Sequence, residues 1–290
     1  MNKSVFRLSN NILKIIAIVL MTIDHIGLAL EQFPATYNSG LILRYIGRLA
    51  LPIFCFLIVE GIMHTKSLAK YLLRMTYMSI FITICLFIIH YTIPLYESEG
   101  NIFMLFVLAI LTVYLLSLQK NYKYLAILPF LYVVFTFIVQ ILEVDKTIDF
   151  SEYFPSAIRP EYSLLGYALI IGTYFVLRYY SKATEDKCRE LNVNYLAYKN
   201  SDEFKKKYNM LASTIVIFVT IIFTLLKYFS YTFDIYNFSI QSYMVIAIIF
   251  IMFYSHKLGY SNIYTKYGFY LYYPLHIAVI FGIVMLINML

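Results

Sequence analysis

The chain reads as an all-α, polytopic transmembrane bundle of about nine spanning helices, a reading carried by composition, hydropathy and the recurrence of long apolar runs. It is 61% hydrophobic and only 13% charged over 290 residues, whereas a soluble domain is about half apolar and about a quarter charged. Mean hydropathy is +0.74. Runs of about twenty apolar residues recur along the chain, each long enough to cross a bilayer as a helix.

The spans fall roughly at 11–30, 41–63, 71–91, 102–119, 124–142, 162–180, 209–229, 240–256 and 268–289. The fourth and eighth are the shortest and suit a partly buried or re-entrant position. Ser9 is placed to cap the first helix. That first run follows Lys3, Arg7 and Lys14 as the core of a signal peptide would. No small-residue cleavage site follows it and it has full spanning length, so it reads as a retained helix.

The loops alternate in charge. One side holds Lys3, Arg7 and Lys14, then Lys66, Lys70 and Arg74, then Lys120 and Lys123, the charged stretch 181–208, and Lys257 with Lys266. The other holds Glu31, Glu97, Glu99, Glu143, Asp145, Asp149, Glu152 and Glu161. By the positive-inside rule the N-terminus is expected in the cytoplasm and the C-terminus outside, with the cell (plasma) membrane as the expected location. Residues 1–290 then form a single integral-membrane domain with a cytosolic charged loop at about 181–208. The net charge of +7 sits mostly on the cytoplasmic face, where it suits anionic headgroups or an anionic cytosolic substrate. The basic residues are too dispersed for a nucleic-acid partner, and none is expected. Cys55, Cys85 and Cys188 form neither a disulfide framework nor a zinc site.

Ionisable groups at membrane depth are costly and mark candidate sites. In the first span Lys14 and His25 are eleven residues apart, three helical turns, so they share one face about 16 Å apart along the axis. Asp24 neighbours His25 in sequence and therefore does not face it. Its expected partner is Arg48 in the second span, where Arg44, Arg48 and Pro52 recur every four residues. Arg44 suits an interfacial, snorkelling position. Pro52 lacks an amide hydrogen, which frees the Arg48 carbonyl and favours a kink. Further on, Glu60 and His64 are one turn apart, and with no third ligand in view a metal site is not expected. Lys66, Lys70 and Arg74 suit either a positive-inside anchor or the phosphates of a cytosolic cofactor. In the last span His276 lies about 15 Å in from the start, one turn after Tyr272 and Tyr273. Asn101 and Tyr162 sit at helix starts where they would line the outer mouth, while His90 and His256 sit at helix ends and read as interfacial.

These residues carry a resemblance. LKIIAIVLMTIDHIG, then GRLALPIFCFLIVEGIMHT with KYLLRM, then KYGFYLYYPLH, resemble in order the signature blocks of the TraX family of membrane proteins, which includes a pilin acetylase. The chain is also similar to the broader acyltransferase-3 group of transmembrane acyltransferases. The resemblance implies a membrane-embedded acyltransferase that transfers acetyl from acetyl-CoA to an amine or hydroxyl of a membrane-bound or exported acceptor. It implies His25 as general base, with Asp24 and His276 in the catalytic group. Lys14, Lys66, Lys70 and Arg74 would hold the donor; Arg44, Arg48, Glu60, His64 and Tyr273 would form the pocket. Lys14 stands where the broader group has arginine. Composition alone favours a proton-coupled transporter, with a non-catalytic assembly protein as a second rival, although an odd span count and the lack of an internal repeat weigh against a two-half inverted-repeat carrier.

Overall fold

The computed structural model describes residues 8–92, 100–144, 150, 153–260 and 263–289. It is all-helical: among the described residues no strand forms, only two isolated bridges. In order the helices are α1 (Asn10–Leu30), α2 (Tyr37–Gly47), α3 (Ala50–His64), α4 (Leu68–Thr92), α5 (Ile102–Ser117) and α6 (Ile127–Val144). They continue with α7 (Ser163–Glu190), α8 (Tyr195–Lys199), α9 (Asp202–Phe229), α10 (Phe238–Gln241), α11 (Ile248–Met252) and α12 (Ile263–Met289). Among the described residues five segments are long and apolar enough to cross a membrane: Asn10–Leu30, Tyr37–His64, Leu68–Thr92, Asn121–Val144 and Asp202–Phe229. Shorter apolar helices cover Ile102–Ser117, Phe238–Met252 and Leu271–Ile287.

Burial separates the centre from the rim. The α2–α3 segment is 67% buried within its most apolar stretch, against 28% for α4 and 39% for α1 and α9, so α3 is the axis of the bundle. The rim helices turn apolar side chains outward. On α4, Leu73, Tyr77, Ile80, Ile84 and Ile88 form an exposed stripe at helical spacing, a face that suits lipid rather than water.

Local chemistry sets the ends. The Ser9 hydroxyl accepts from the Ile12 amide at 3.3 Å and caps α1 as the sequence suggests. Asn101 accepts from the amides of Phe103 and Met104 and donates to the Ser79 carbonyl, so it caps α5 and ties it to α4 rather than lining the mouth. The second span is broken at Arg48–Leu49, four residues before Pro52, where the proline leaves a carbonyl without its helical donor. The stretch 181–208, expected as a loop, is mostly helix: the end of α7, all of α8 and the start of α9. The eighth segment is two short helices joined by a 3₁₀ stretch over Ser242–Ala247. Backbone bonds from Asn10 and Asn11 to the Lys257 and Leu258 carbonyls, at 2.8 and 3.2 Å, fasten the start of α1 to the segment before α12.

Candidate functional site

A chamber of about 710 Å³ runs inside the bundle between α1, α3, α4, α5 and α12. One face of α1 lines it from Lys14 through Ile18 and Met21 to His25 and Leu28, so the three-turn spacing does place Lys14 and His25 on one wall. Along its length the chamber changes character. Lys14, His64 and Arg74 surround one end, Met21, Phe54, Leu57 and Phe106 form an apolar waist, and His25, Arg48, Glu161 and Tyr273 surround the other end.

At that second end His25 and His276 meet edge to face, with ring centroids 4.8 Å apart. His25 Nδ1 donates to the Met21 carbonyl at 2.9 Å, and His276 Nδ1 donates to the Tyr272 carbonyl at 3.0 Å. His276 Nε2 is then an acceptor, 3.4 Å from His25 Nδ1, and the lone pair of His25 resides on Nε2. The Tyr272 ring stacks on His276 at 5.2 Å, and its hydroxyl bonds to Thr22 Oγ1 on α1 at 2.7 Å. Tyr273 Oη donates to Glu161 Oε2 at 3.3 Å. This is the strongest convergence of sequence-singled residues: α1 and α12 lie 251 positions apart and deliver two histidines to one point.

Asp24, grouped by resemblance with the catalytic residues, is instead held by Arg48. Arg48 Nε donates to Oδ1 at 2.9 Å and Nη2 to Oδ2, a bidentate buried pair that occupies both carboxylate oxygens. Arg48 Nη1 also donates to the Tyr162 hydroxyl at 2.9 Å and to Gln241 Oε1 at 3.2 Å. Arg44, expected at an interface, is buried in the chamber wall and donates to Glu31 Oε2 at 2.9 Å.

At the first end Lys14 Nζ lies 5.9 Å from the centre of the Phe269 ring. Lys66 and Lys70 do not line the chamber. They line a shallow surface pocket of about 510 Å³ that shares Thr65 and Arg74 with it, so the basic run forms a shelf at the chamber mouth. Glu60 is buried just inside. Its two oxygens accept from Tyr208 at 2.6 Å and Tyr254 at 2.8 Å, and His64 Nδ1 stands 3.7 Å away. His256, read from sequence as interfacial, packs against Tyr208 and Tyr254 with ring centroids 4.8 and 4.7 Å away, and donates to Asn209 Oδ1 at 2.9 Å. Burial, and then the charges of Lys205, His64 and Lys199, push its pKa down to about 3, so it is neutral at physiological pH. His90 is exposed at the end of α4. Sequence reasoning missed Tyr208, Tyr254 and Gln241 because nothing local distinguishes them from other polar and aromatic residues. Their roles depend on partners 148, 194 and 193 positions away.

The fold and its chamber define a class: a multi-pass helical membrane protein that encloses a polar site. Comparison places it further. Residues 9–150, just under half the chain, match the family model described as TraX protein, so the resemblance is borne out over that segment. The chain is 41% identical over 69 residues to "Probable fimbrial assembly protein FimC, serogroup H1" of Dichelobacter nodosus, covering 23% of this chain and 27% of that protein. It is 50% identical over 46 residues to an uncharacterized protein of Rickettsia prowazekii (strain Madrid E), covering 16% of each. These alignments thus span only about a quarter and a sixth of the relatives' own lengths. No solved structure matches the chain.

Proposed function

We propose that this protein is a membrane acyltransferase that moves an acyl group, acetyl in the first instance, from a cytosolic acyl-CoA to an amine or hydroxyl acceptor, a reading that the TraX match over residues 9–150 supports. The observation that carries the proposal is the chamber joining a basic mouth to His25, whose ring meets that of His276. Its volume of about 710 Å³ falls in the range of small-molecule sites. Lys66, Lys70, Arg74 and Lys14 offer the charges that phosphates require. Those basic groups would face the cytoplasm if the loops obey the positive-inside rule.

A bound acyl-CoA supplies an activated thioester carbonyl. His25 Nε2 is the base that takes the proton from the acceptor nucleophile and returns it to the departing sulfur, while its Nδ1–H stays on the Met21 carbonyl. His276 accepts from the same Nδ1–H and fixes the imidazole tautomer. Tyr273, with Glu161, orients the acceptor. Asp24 acts through Arg48, holding α1 against the turn between α2 and α3 so that His25 points into the chamber.

The fimbrial-assembly name of the Dichelobacter relative, taken with the pilin acetylase of the TraX family, extends the reading to the acceptor, a terminal amine of a pilus subunit. The test is acetyl transfer from labelled acetyl-CoA in membranes, followed by mass spectrometry of peptides, lipids and glycans. Substitution His25→Ala is expected to abolish transfer with insertion and melting temperature unchanged; full activity in that variant would remove the proposal. Solute flux in proteoliposomes without acyl-CoA would make the protein a carrier instead.

A further inference from the structure

Glu60 has no place in the transfer step, yet it is the most enclosed charge in the chamber wall. It is 3% exposed. Each of its carboxylate oxygens accepts one tyrosine hydroxyl, from Tyr208 and Tyr254, and each keeps a second lone-pair direction. Among the described residues the ion-pairing group within 4.0 Å is His64 Nδ1 at 3.7 Å, and that nitrogen already donates to the Glu60 carbonyl at 3.0 Å. The carboxylate lines the chamber, so its remaining lone-pair directions suit the N–H or O–H donors of a bound molecule.

Its position along the chamber says which donors these are. The α3 helix lines the chamber with His64, Glu60, Leu57, Phe54 and Leu51, one side chain every three or four residues, so residue number marks depth. Glu60 lies about 6 Å inward of His64 and roughly 18 Å short of Arg48 at the reactive end. Outward of it stand Lys66 and Lys70 on the basic shelf. A negative carboxylate at this depth repels phosphates and leaves them to the shelf, but it attracts a neutral chain bearing amide and hydroxyl protons. The aromatic packing of His256 against Tyr208 and Tyr254 fixes the rings that present it.

We propose that Glu60, held by Tyr208 and Tyr254, is the binding site for the neutral pantetheine arm of the acyl donor and accepts that arm's N–H and O–H groups. The inference rests on the acyl-CoA reading above. Binding to the purified full-length protein in nanodiscs, measured by calorimetry, tests it with three probes: CoA, pantetheine, and adenosine 3′,5′-bisphosphate. The wild type is expected to bind all three. Substitution Glu60→Gln is expected to weaken CoA and pantetheine about tenfold, as loss of a hydrogen bond to a charged group does, and to leave the bisphosphate unchanged. Substitution Lys70→Ala is expected to weaken CoA and the bisphosphate and leave pantetheine unchanged. If Glu60→Gln fails to fold, Tyr254→Phe, which keeps the carboxylate, carries the test with a several-fold loss for CoA and pantetheine. Unchanged pantetheine affinity in the folded variant, or equal loss for the bisphosphate, overturns the inference while the acyl-CoA reading stands. A wild type that binds none of the probes overturns both.

Discussion

At His25 the helix itself decides where the proton sits. Nδ1 donates to the carbonyl of Met21 one turn back, which leaves the lone pair on Nε2. One residue earlier, Asp24 faces away and meets Arg48, with side chains 12% and 4% exposed. Such a pair is worth less for its own stability than it costs to break, because the surviving partner becomes an uncompensated buried charge. Substitution Arg48→Met is therefore expected to cost about 3–5 kcal/mol in unfolding free energy, and the double change Asp24→Leu with Arg48→Met to recover most of it. Chemical denaturation in detergent would show this. A single variant as stable as the double one would mean that the charges are not coupled.

The α1–α2 hairpin brings these residues together because its crossing is too close for side chains. A Cβ on Gly40 would fall 2.6 Å from the Gly27 carbonyl oxygen, and one on Gly47 would collide with Asp24. The three glycines are spacers that let Arg44 and Arg48 reach Glu31 and Asp24. Substitution Gly40→Val is expected to destabilise the protein by about 1–3 kcal/mol through overpacking. Among the described residues nothing lies within 4 Å of a Cβ on Gly282 in α12, so Gly282→Ala is expected to be neutral or slightly stabilising. Equal melting temperatures for the two variants would contradict this account of the crossing. The break between α2 and α3 belongs to the same scale: Pro52 made a kink legible in the sequence, and the turn at Arg48–Leu49 aims the Arg48 guanidinium at α1.

Across the whole molecule the chamber is polar at both ends and apolar in the middle, within a bundle whose outer faces are apolar. If the basic mouth faces the cytoplasm, the two ends of this path lie toward opposite sides of the membrane. Cysteine labelling checks that arrangement. In a background where Cys55, Cys85 and Cys188 are serine, Asn192→Cys is expected to react with an impermeant maleimide only after permeabilisation, and Tyr153→Cys in intact cells. Reaction at residue 192 in intact cells would reverse the orientation.

The membrane-spanning helical class, the cap at Ser9, the pairing of Asp24 with Arg48, and the shared face of Lys14 and His25 are all legible in the order of the residues. All of these follow from hydropathy, helical periodicity or the cost of an unpaired charge in hydrocarbon, which act over one or two turns. Packing of the bundle brings His276 to His25, buries Arg44 against Glu31, and holds Glu60 between Tyr208 and Tyr254. It also turned the charged stretch 181–208 into helix and drew His256 inward from a helix end. The physical reason is that a side chain's direction is local, whereas the identity of what it points at is set by helices that are distant in the chain and adjacent in the bundle.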